Sequence, residues 1–226
     1  MRDLRAVLFD AGGTLIHVDG PRVCGAAGVP FDARSFREAE AAAVAVVRSR
    51  VLEHPGSSDA ERFPLYLDTL LRRLGVEASP ERSLAARRIA EEHGRANLWS
   101  RRADGAAEVL EALRERGYRI AVISNADGRV RGLLAAAGLS GLLEFILDSA
   151  EVGVEKPDPR IFLAATERLG LSPASCAYVG DIYEIDAAGA ERAGLFPILL
   201  GDCPAPEGIR RVAELSELLE LFPPRQ

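Results

Sequence analysis

The sequence predicts an α/β fold, in which a doubly wound, Rossmann-like parallel sheet carries a helical segment inserted after its first strand. Two textures of the chain support this prediction. Short apolar runs that end in polar or acidic residues alternate with helix-like stretches, whereas residues 16–99 contain helix-like stretches alone. With 226 residues, 48% of them hydrophobic, the chain is long enough for one full core and a smaller appended unit.

Five short apolar runs are predicted to form the strands of the sheet. They are RAVLFD (5–10), YRIAVISN (118–125), EFILDS (144–149), CAYVGD (176–181) and LFPILLGD (195–202). Helix-like stretches lie at 105–116, 128–138, 158–169 and 184–193. Strands that alternate with helices form a parallel sheet covered on both faces, and such sheets bind ligands at the carboxyl ends of their strands. The polar residues at those ends are Asp10, Ser124, Asp148 and Asp181.

The segment between the first two strands is predicted to be helical. We expect three helices, in FDARSFREAEAAAVAVVRSRVLEH, AERFPLYLDTLLRRLG and SPERSLAARRIAEEHGRAN. DAR and SPE are typical helix starts, and Gly56 and Gly75 lie where helices end. The predicted division is a core of residues 1–15 and 100–226 and an insert of residues 16–99. We expect this insert to act as a lid over the loop that follows the first strand.

Net charge and hydropathy argue against nucleic acid and membrane as partners. The formal net charge is −6, and the sequence has no basic patch suited to nucleic acid or to an acidic membrane surface. No apolar run approaches the ~20 residues of a membrane span, and the N-terminus contains acids and no signal-type apolar region. We therefore expect a cytoplasmic protein that binds neither nucleic acid nor membrane. The apolar surface of its insert is compatible with a monomer and with a dimer.

The residues at the strand ends and in the loops beyond them offer the functional groups that phosphoryl transfer requires. Asp10, Asp181 and Asp186 supply carboxylates, which serve as Mg²⁺ ligands or as a nucleophile. Ser124 supplies a hydroxyl for a phosphate oxygen, and Lys156, the only lysine of the chain, supplies positive charge. Each of these residues alone is common in a loop, so the indication comes from their combination.

Four segments of the chain, in this order, resemble the four motifs of the haloacid dehalogenase (HAD) superfamily. LFDAGGTL is similar to motif I, VISNA to motif II, VEKPDPRIF to motif III and YVGDIYEIDAAGAERAGL to motif IV. The insert between the first two motifs resembles the C1 cap of subfamily I. The resemblance covers nearly the whole chain and implies a HAD-like hydrolase.

This resemblance implies a nucleophile and a metal site. Asp10 is expected to attack phosphorus and form an aspartyl-phosphate, and Mg²⁺ is expected to bind the Asp10 carboxylate, the Gly12 backbone carbonyl and Asp181. Asp186 is expected behind these ligands, where it would orient them or pair with Lys156.

A second set of residues is implied to bind a small phosphorylated metabolite. Ser124 and Lys156 are expected to hold the transferring phosphoryl group, assisted by Asn125. Gly13 and Thr14 are expected to shape the turn after the nucleophile, within the same substrate-binding site.

Gly12 departs from the family pattern. HAD phosphatases usually carry a second aspartate two residues after the nucleophile, which acts as general acid and then as base, and glycine can do neither. His17 is the tentative acid-base replacement, and Asp19 is a second candidate. Haloacid dehalogenases also lack this aspartate, but they work without metal and lack the paired acids of motif IV. Phosphonoacetaldehyde hydrolases require a cap lysine, which this insert does not contain.

The function predicted from the sequence is a Mg²⁺-dependent phosphatase of small phosphorylated metabolites, with weak activity because of the missing acid. Two alternatives stay open at this point. One is a non-catalytic homologue that binds a phosphorylated ligand or a partner, and the other is a 2-haloacid dehalogenase.

Overall fold

The computed structural model describes residues 3–77 and 79–225. The chain divides into two compact units, one of Met1–His17 with Arg101–Gln226 and one of Val18–Ser100. Among the described residues, no helix is both long enough and apolar enough to cross a membrane.

Eight strands within the described ranges form two sheets. They are β1 (Ala6–Phe9), β2 (Ile16–Val18), β3 (Trp99–Arg102), β4 (Arg119–Ser124), β5 (Phe145–Asp148), β6 (Cys176–Gly180), β7 (Phe196–Leu200) and β8 (Arg210–Val212). The larger sheet has the order β5–β4–β1–β6–β7–β8, and every neighbouring pair in it is parallel. The predicted α/β fold with a parallel sheet is thereby confirmed.

Ten α-helices accompany these strands in the described part of the chain. They are α1 (Gly20–Ala27), α2 (Ala33–Glu53), α3 (Asp59–Arg73), α4 (Ser79–Arg95), α5 (Ala106–Glu115), α6 (Val130–Ala136), α7 (Ser149–Val152), α8 (Pro159–Leu169), α9 (Ala188–Arg192) and α10 (Leu218–Leu221). The predicted helix at 184–193 begins differently, because a π-helical turn, Tyr183–Ala187, precedes α9. Such turns are frequent at functional sites.

The sheet is held together by apolar side chains that helices cover. All four residues of β1 are buried, as in a central strand of a parallel sheet. Leu8, Ile123 and Tyr178, from three adjacent strands, lie in one buried cluster with Phe162 of α8. Removal of this apolar surface from water is the main stabilising term of the unit.

The register of the central strands brings their carboxyl ends to one edge of the sheet. Phe9 is opposite both Val122 of β4 and Val179 of β6. Strand β1 therefore lies where the strand order reverses, with later strands on each side. This is the position at which open α/β sheets bind ligands.

Three short strands were not predicted. Strand β8 has the sequence RRV and two exposed arginines, so it lacks the apolar run that identifies a strand. Strands β2 and β3 pair with each other at the two ends of the insert, for which no strand was expected. Their pairing joins segments distant in sequence, and a three- or four-residue strand carries no periodic signal.

The second unit contains one more helix than the three predicted. Helix α1 begins at Gly20, the last residue of the sequence VDG, and contains a proline. A glycine followed by a proline is typical of a turn, so no helix was predicted here. In the structure, Asp19 caps this helix by accepting a hydrogen bond from the Arg22 N–H (3.1 Å), and Pro21 occupies its first turn. The predicted start at DAR is confirmed, because Asp32 caps α2 through the Ser35 N–H (2.8 Å).

Candidate active site

The chain leaves β1 through a turn that places Asp10 next to motif IV. The Asp10 N–H still donates to the Val179 carbonyl of β6 (2.8 Å), so the sheet fixes the backbone of Asp10. Gly13, three residues later, has φ 82°, and a Cβ at this position would overlap the Asp181 carboxylate. The turn therefore requires glycine at position 13, both for its backbone conformation and for the close approach of Asp181.

Gly12 has a different environment from Gly13. It forms an isolated bridge with Ile16, made by the Ile16 N–H to the Ala11 carbonyl (2.9 Å) and the Gly13 N–H to the Ile16 carbonyl (2.8 Å). Neither hydrogen bond uses the Gly12 carbonyl, which was expected to bind the metal. Gly12 is also not one of the glycines with positive φ.

Three carboxylates converge at the carboxyl edge of β1 and β6. Oxygen atoms of Asp10, Asp181 and Asp186 all lie within 4.8 Å of one another. Burial raises the pKa of Asp10 to about 7, with Asp186 adding to the rise and Lys156 opposing it. Desolvation, followed by the charges of Asp186 and Asp10, raises the pKa of Asp181 well above its usual value. These carboxylates repel each other as long as only one ammonium compensates them.

Lys156 provides that compensating charge from the loop before α8. Its Nζ lies 2.5 Å from Asp10 Oδ1 and 2.8 Å from Asp186 Oδ1, and the side chain is 2% exposed. Burial alone would lower the pKa of Lys156, but the two carboxylates outweigh burial and raise it. Lys156 is therefore a charged, buried group bound to the predicted nucleophile.

Asn125 has a role that the sequence did not indicate. Its side-chain Nδ2 donates to the Lys156 carbonyl (2.9 Å), and its Oδ1 accepts the Lys156 N–H (2.7 Å). Both ends of the amide thus bind the backbone of Lys156, which locks the loop that carries the ammonium. Asn125 was expected to assist in holding substrate, whereas its side chain in the structure holds Lys156.

Two predicted substrate-binding residues are buried side chains that carry hydroxyls. Ser124 ends β4 opposite Asp148 and is 4% exposed. Thr14 is fully buried, and its Oγ1 has no hydrogen-bond partner among the described residues.

The two candidates for the missing acid are placed differently. Asp19 caps helix α1 with its carboxylate. His17 lies in β2 and is half-buried. Burial, and then Arg101, lower the pKa of His17, with Asp104 opposing them. Among the contacts of the described residues, none joins His17 to the three clustered carboxylates.

Tyr178 is a site residue that the sequence analysis missed. It lies in the middle of β6, yet its hydroxyl accepts a hydrogen bond from Lys156 Nζ (2.8 Å). The available signal was a single tyrosine in the otherwise apolar run CAYVG, where a buried hydroxyl must find a partner.

The donor set of this site fits a hard divalent cation. Carboxylate and carbonyl oxygens are the ligands that Mg²⁺ prefers. The raised pKa values of Asp10 and Asp181 indicate uncompensated negative charge, which a divalent cation would neutralise. The Gly12 carbonyl, free of the turn's bridge, would complete the set implied by the family resemblance.

Comparison with protein families identifies the class of this chain. Residues 4–194 match the haloacid dehalogenase-like hydrolase family, so the chain belongs to that family.

Individual relatives include proteins of two activities. A mouse protein, haloacid dehalogenase-like hydrolase domain-containing protein 3, is 40% identical over 108 residues, which are 47% of this chain and 43% of the mouse protein. The glyceraldehyde 3-phosphate phosphatase of Methanopyrus kandleri is 35% identical over 150 residues, which are 66% of this chain and 64% of that enzyme. A crystal structure of a dehalogenase with an intermediate complex is 26% identical, covers 100% of both chains and superposes with a TM-score of 0.70.

Proposed function

We propose that this hydrolase is a Mg²⁺-dependent phosphatase of small phosphorylated metabolites, with Asp10 as its nucleophile. The observation that supports this most is the convergence of the Asp10, Asp181 and Asp186 carboxylates within 4.8 Å, with Lys156 Nζ 2.5 Å from Asp10. The phosphatase activity of the relative from Methanopyrus kandleri favours the same reaction.

The metal would be held by Asp10, Asp181 and the Gly12 carbonyl, with Asp186 behind them. Bound Mg²⁺ would neutralise charge on the phosphate oxygens. Asp186 orients this set from behind, since its Oδ1 lies 2.8 Å from Lys156 and its Oδ2 accepts the Ile182 N–H (3.0 Å).

The residues of the chain itself would carry the covalent step. A carboxylate oxygen of Asp10 attacks phosphorus, the bond from phosphorus to the ester oxygen breaks, and the ester oxygen leaves with the electron pair as an alkoxide, which takes a proton from water to become the alcohol. Water then hydrolyses the aspartyl-phosphate to release phosphate. The hydroxyl of Ser124 is the donor proposed for the phosphoryl oxygens, and Lys156 balances their charge. His17 is retained as the candidate base, since its lowered pKa favours the neutral imidazole.

The helical unit, Val18–Ser100, is proposed to be a cap of the C1 type. The chain enters it through β2 and leaves it through β3, between the first and second strands of the parallel sheet. Insertion at this point is what the resemblance to subfamily I implies.

A panel of phosphate esters tests the proposed activity. We expect Mg²⁺-dependent release of phosphate by the wild type and a loss of at least ~10³-fold in Asp10→Asn, because the amide is not a nucleophile. Asp202→Asn, at an exposed loop position, is the control and should retain activity. Turnover by Asp10→Asn at the wild-type rate would exclude Asp10 as nucleophile.

A 2-haloacid dehalogenase is the second candidate. The full-length likeness to the dehalogenase structure and the glycine at position 12 both favour it. The paired acids Asp181 and Asp186 argue against it, since attack on carbon with halide departure requires no metal. Release of chloride from 2-chloropropionate without Mg²⁺, and no turnover of any phosphate ester, would decide for the dehalogenase.

A further inference from the structure

The hydroxyl of Tyr178 is the one contact of the Lys156 ammonium that the proposed chemistry leaves unexplained. We propose that Tyr178 is a positioning residue, which holds Lys156 in the orientation that serves Asp10. The catalytic part of this inference rests on the proposed phosphatase function, whereas the placement of Lys156 does not.

The ammonium of Lys156 has three N–H donors and three acceptors around it. They are Asp10 Oδ1 at 2.5 Å, Tyr178 OH at 2.8 Å and Asp186 Oδ1 at 2.8 Å. An ammonium has no further donor, so these three contacts define its orientation completely. Two of these acceptors are carboxylates of the proposed metal site. Tyr178 is the acceptor that has no part in that site.

The proton of the Tyr178 hydroxyl is directed away from Lys156. Lys156 Nζ is a donor only, so the single hydroxyl proton is available to one of two acceptors within reach, the Ile123 carbonyl at 3.1 Å or Asp186 Oδ1 at 3.3 Å. The oxygen lone pairs therefore face the ammonium. Ile123 directly precedes Ser124, so the same hydroxyl connects the lysine to the strand that carries the predicted phosphoryl-binding serine.

The fold alone does not require this hydroxyl. The Tyr178 ring packs edge-on against Phe162, with centroids 4.9 Å apart, inside a cluster of buried residues in which it carries the only hydroxyl. A phenylalanine would make the same ring contact without removing a polar group from water. The hydroxyl is explained by its partners, all of which lie at the site or in the strand leading to it.

Loss of the hydroxyl should therefore act on Lys156. One N–H of a buried ammonium would have no acceptor, and the head group would be free to shift between the two carboxylates. Small displacements of a positioned group reduce the rate of the chemical step more than they reduce binding.

Tyr178→Phe tests this, with Tyr118→Phe as the matched control. Tyr118 is also buried, packs edge-on against Phe222 at 5.2 Å and donates its hydroxyl to the Pro223 carbonyl (2.9 Å). It lies next to the amino end of β4, at the opposite edge of the sheet. With p-nitrophenyl phosphate and Mg²⁺, we expect kcat to fall ~10-fold in Tyr178→Phe with KM changed less than ~2-fold, and both to be unchanged in Tyr118→Phe.

A double-mutant cycle with Lys156→Met shows whether Tyr178 acts through the lysine. Tyr178→Phe should lower the Tm of the wild type by ~2–4 °C and lower that of Lys156→Met by less than half as much. This measurement needs no turnover, so it decides the placement of Lys156 even if no phosphate ester is hydrolysed and the proposed function fails. Equal losses of Tm in both backgrounds would overturn the inference. An unchanged kcat in an active enzyme would overturn it too.

Discussion

Gly12 and Gly13 are adjacent glycines that the structure distinguishes. Gly13 has φ 82° and no room for a Cβ beside Asp181. Gly12 does not belong to the positive-φ glycines, so a side chain at this position would not meet the strain of a left-handed backbone. The missing general acid can therefore be introduced at position 12 without strain from a left-handed backbone.

Gly12→Asp should raise the turnover of alkyl phosphates. The introduced carboxyl would protonate the leaving oxygen and then activate water, and general acid-base catalysis contributes ~10² to 10⁴-fold. Turnover of p-nitrophenyl phosphate should rise less, since its leaving group departs as a stable anion. Steady-state kinetics on both esters measure the difference.

Gly12→Asn is the control for this prediction, because its side chain has nearly the same shape as that of Gly12→Asp and no acidic proton.

The wild type should also show a burst followed by slow turnover, as an aspartyl-phosphate accumulates without its base. Brisk hydrolysis of alkyl phosphates by the wild type, with loss of activity in His17→Ala, would instead identify His17 as the acid.

Single residues were predictable where the motif itself determines the chemistry. Asp10, Lys156, Asp181 and Asp186 come from strand-end loops, and the parallel register brings such loops together. Asn125 and Tyr178 could not be assigned in this way. Their roles depend on which atoms of Lys156 they contact across more than 20 positions of sequence, and no local pattern records this.

At the level of elements, the π-helical turn Tyr183–Ala187 explains the spacing in motif IV. It wraps the chain so that Asp186 returns to the end of β6, where a Cβ on Gly180 would overlap its side chain. The wider turn therefore places Asp186 near Asp181, five positions earlier. The sequence predicted a helix here, but it carried no signal that distinguishes a π-helical first turn from an α-helical one.

Strand β2 places the imidazole of His17 at a half-buried position. The folded state disfavours protonation of His17, because burial and Arg101 lower its pKa below 6.5. The unfolded chain binds this proton at higher pH than the folded chain, so the free energy of unfolding should decrease as the pH falls from 6.5 towards the folded pKa.

His17→Gln should remove this part of the pH dependence. Urea unfolding between pH 5 and pH 8 measures it, and the difference between wild type and variant isolates His17 from the other groups. His54→Gln, at an exposed position, is the matched control. Parallel stability profiles for wild type and His17→Gln would show that β2 does not restrict protonation of this histidine.

At the scale of the whole molecule, the arginines and the single lysine have different roles. Of the 28 Lys and Arg residues, all but Lys156 are arginine. Many of these arginines form ion pairs or cap backbone carbonyls, such as Arg22 in the helical unit, which binds Glu92 at 2.8 Å and the Ala96 carbonyl. Such arginines have structural partners at the surface, whereas Lys156 is buried between the carboxylates of Asp10 and Asp186.

If the carboxylate cluster binds Mg²⁺ as proposed, the metal should stabilise the whole protein. A cation that binds the folded state alone stabilises it by mass action, by ~1.4 kcal/mol at ten times its Kd. For a chain of this size, that corresponds to a rise in Tm of ~3–6 °C, measurable by calorimetry with and without Mg²⁺. In Asp181→Asn the rise should largely disappear, while Asp202→Asn should retain it.

The Mg²⁺-induced rise in Tm should itself depend on pH, in a direction that the pKa of Asp10 determines. Protons would compete with Mg²⁺ for Asp10, whose pKa is raised to about 7 by burial, because the proposed metal would bind the ionised carboxylate and would have to displace a proton at lower pH. The Mg²⁺-induced rise in Tm should therefore be larger at pH 8 than at pH 5.5. In Asp10→Asn, the carboxyl group with the raised pKa is absent. The rise in Tm at pH 8 and the rise at pH 5.5 should therefore differ less. An equal rise at both pH values in the wild type, or an equal rise in wild type and Asp181→Asn, would mean that Mg²⁺ binds elsewhere than at these carboxylates.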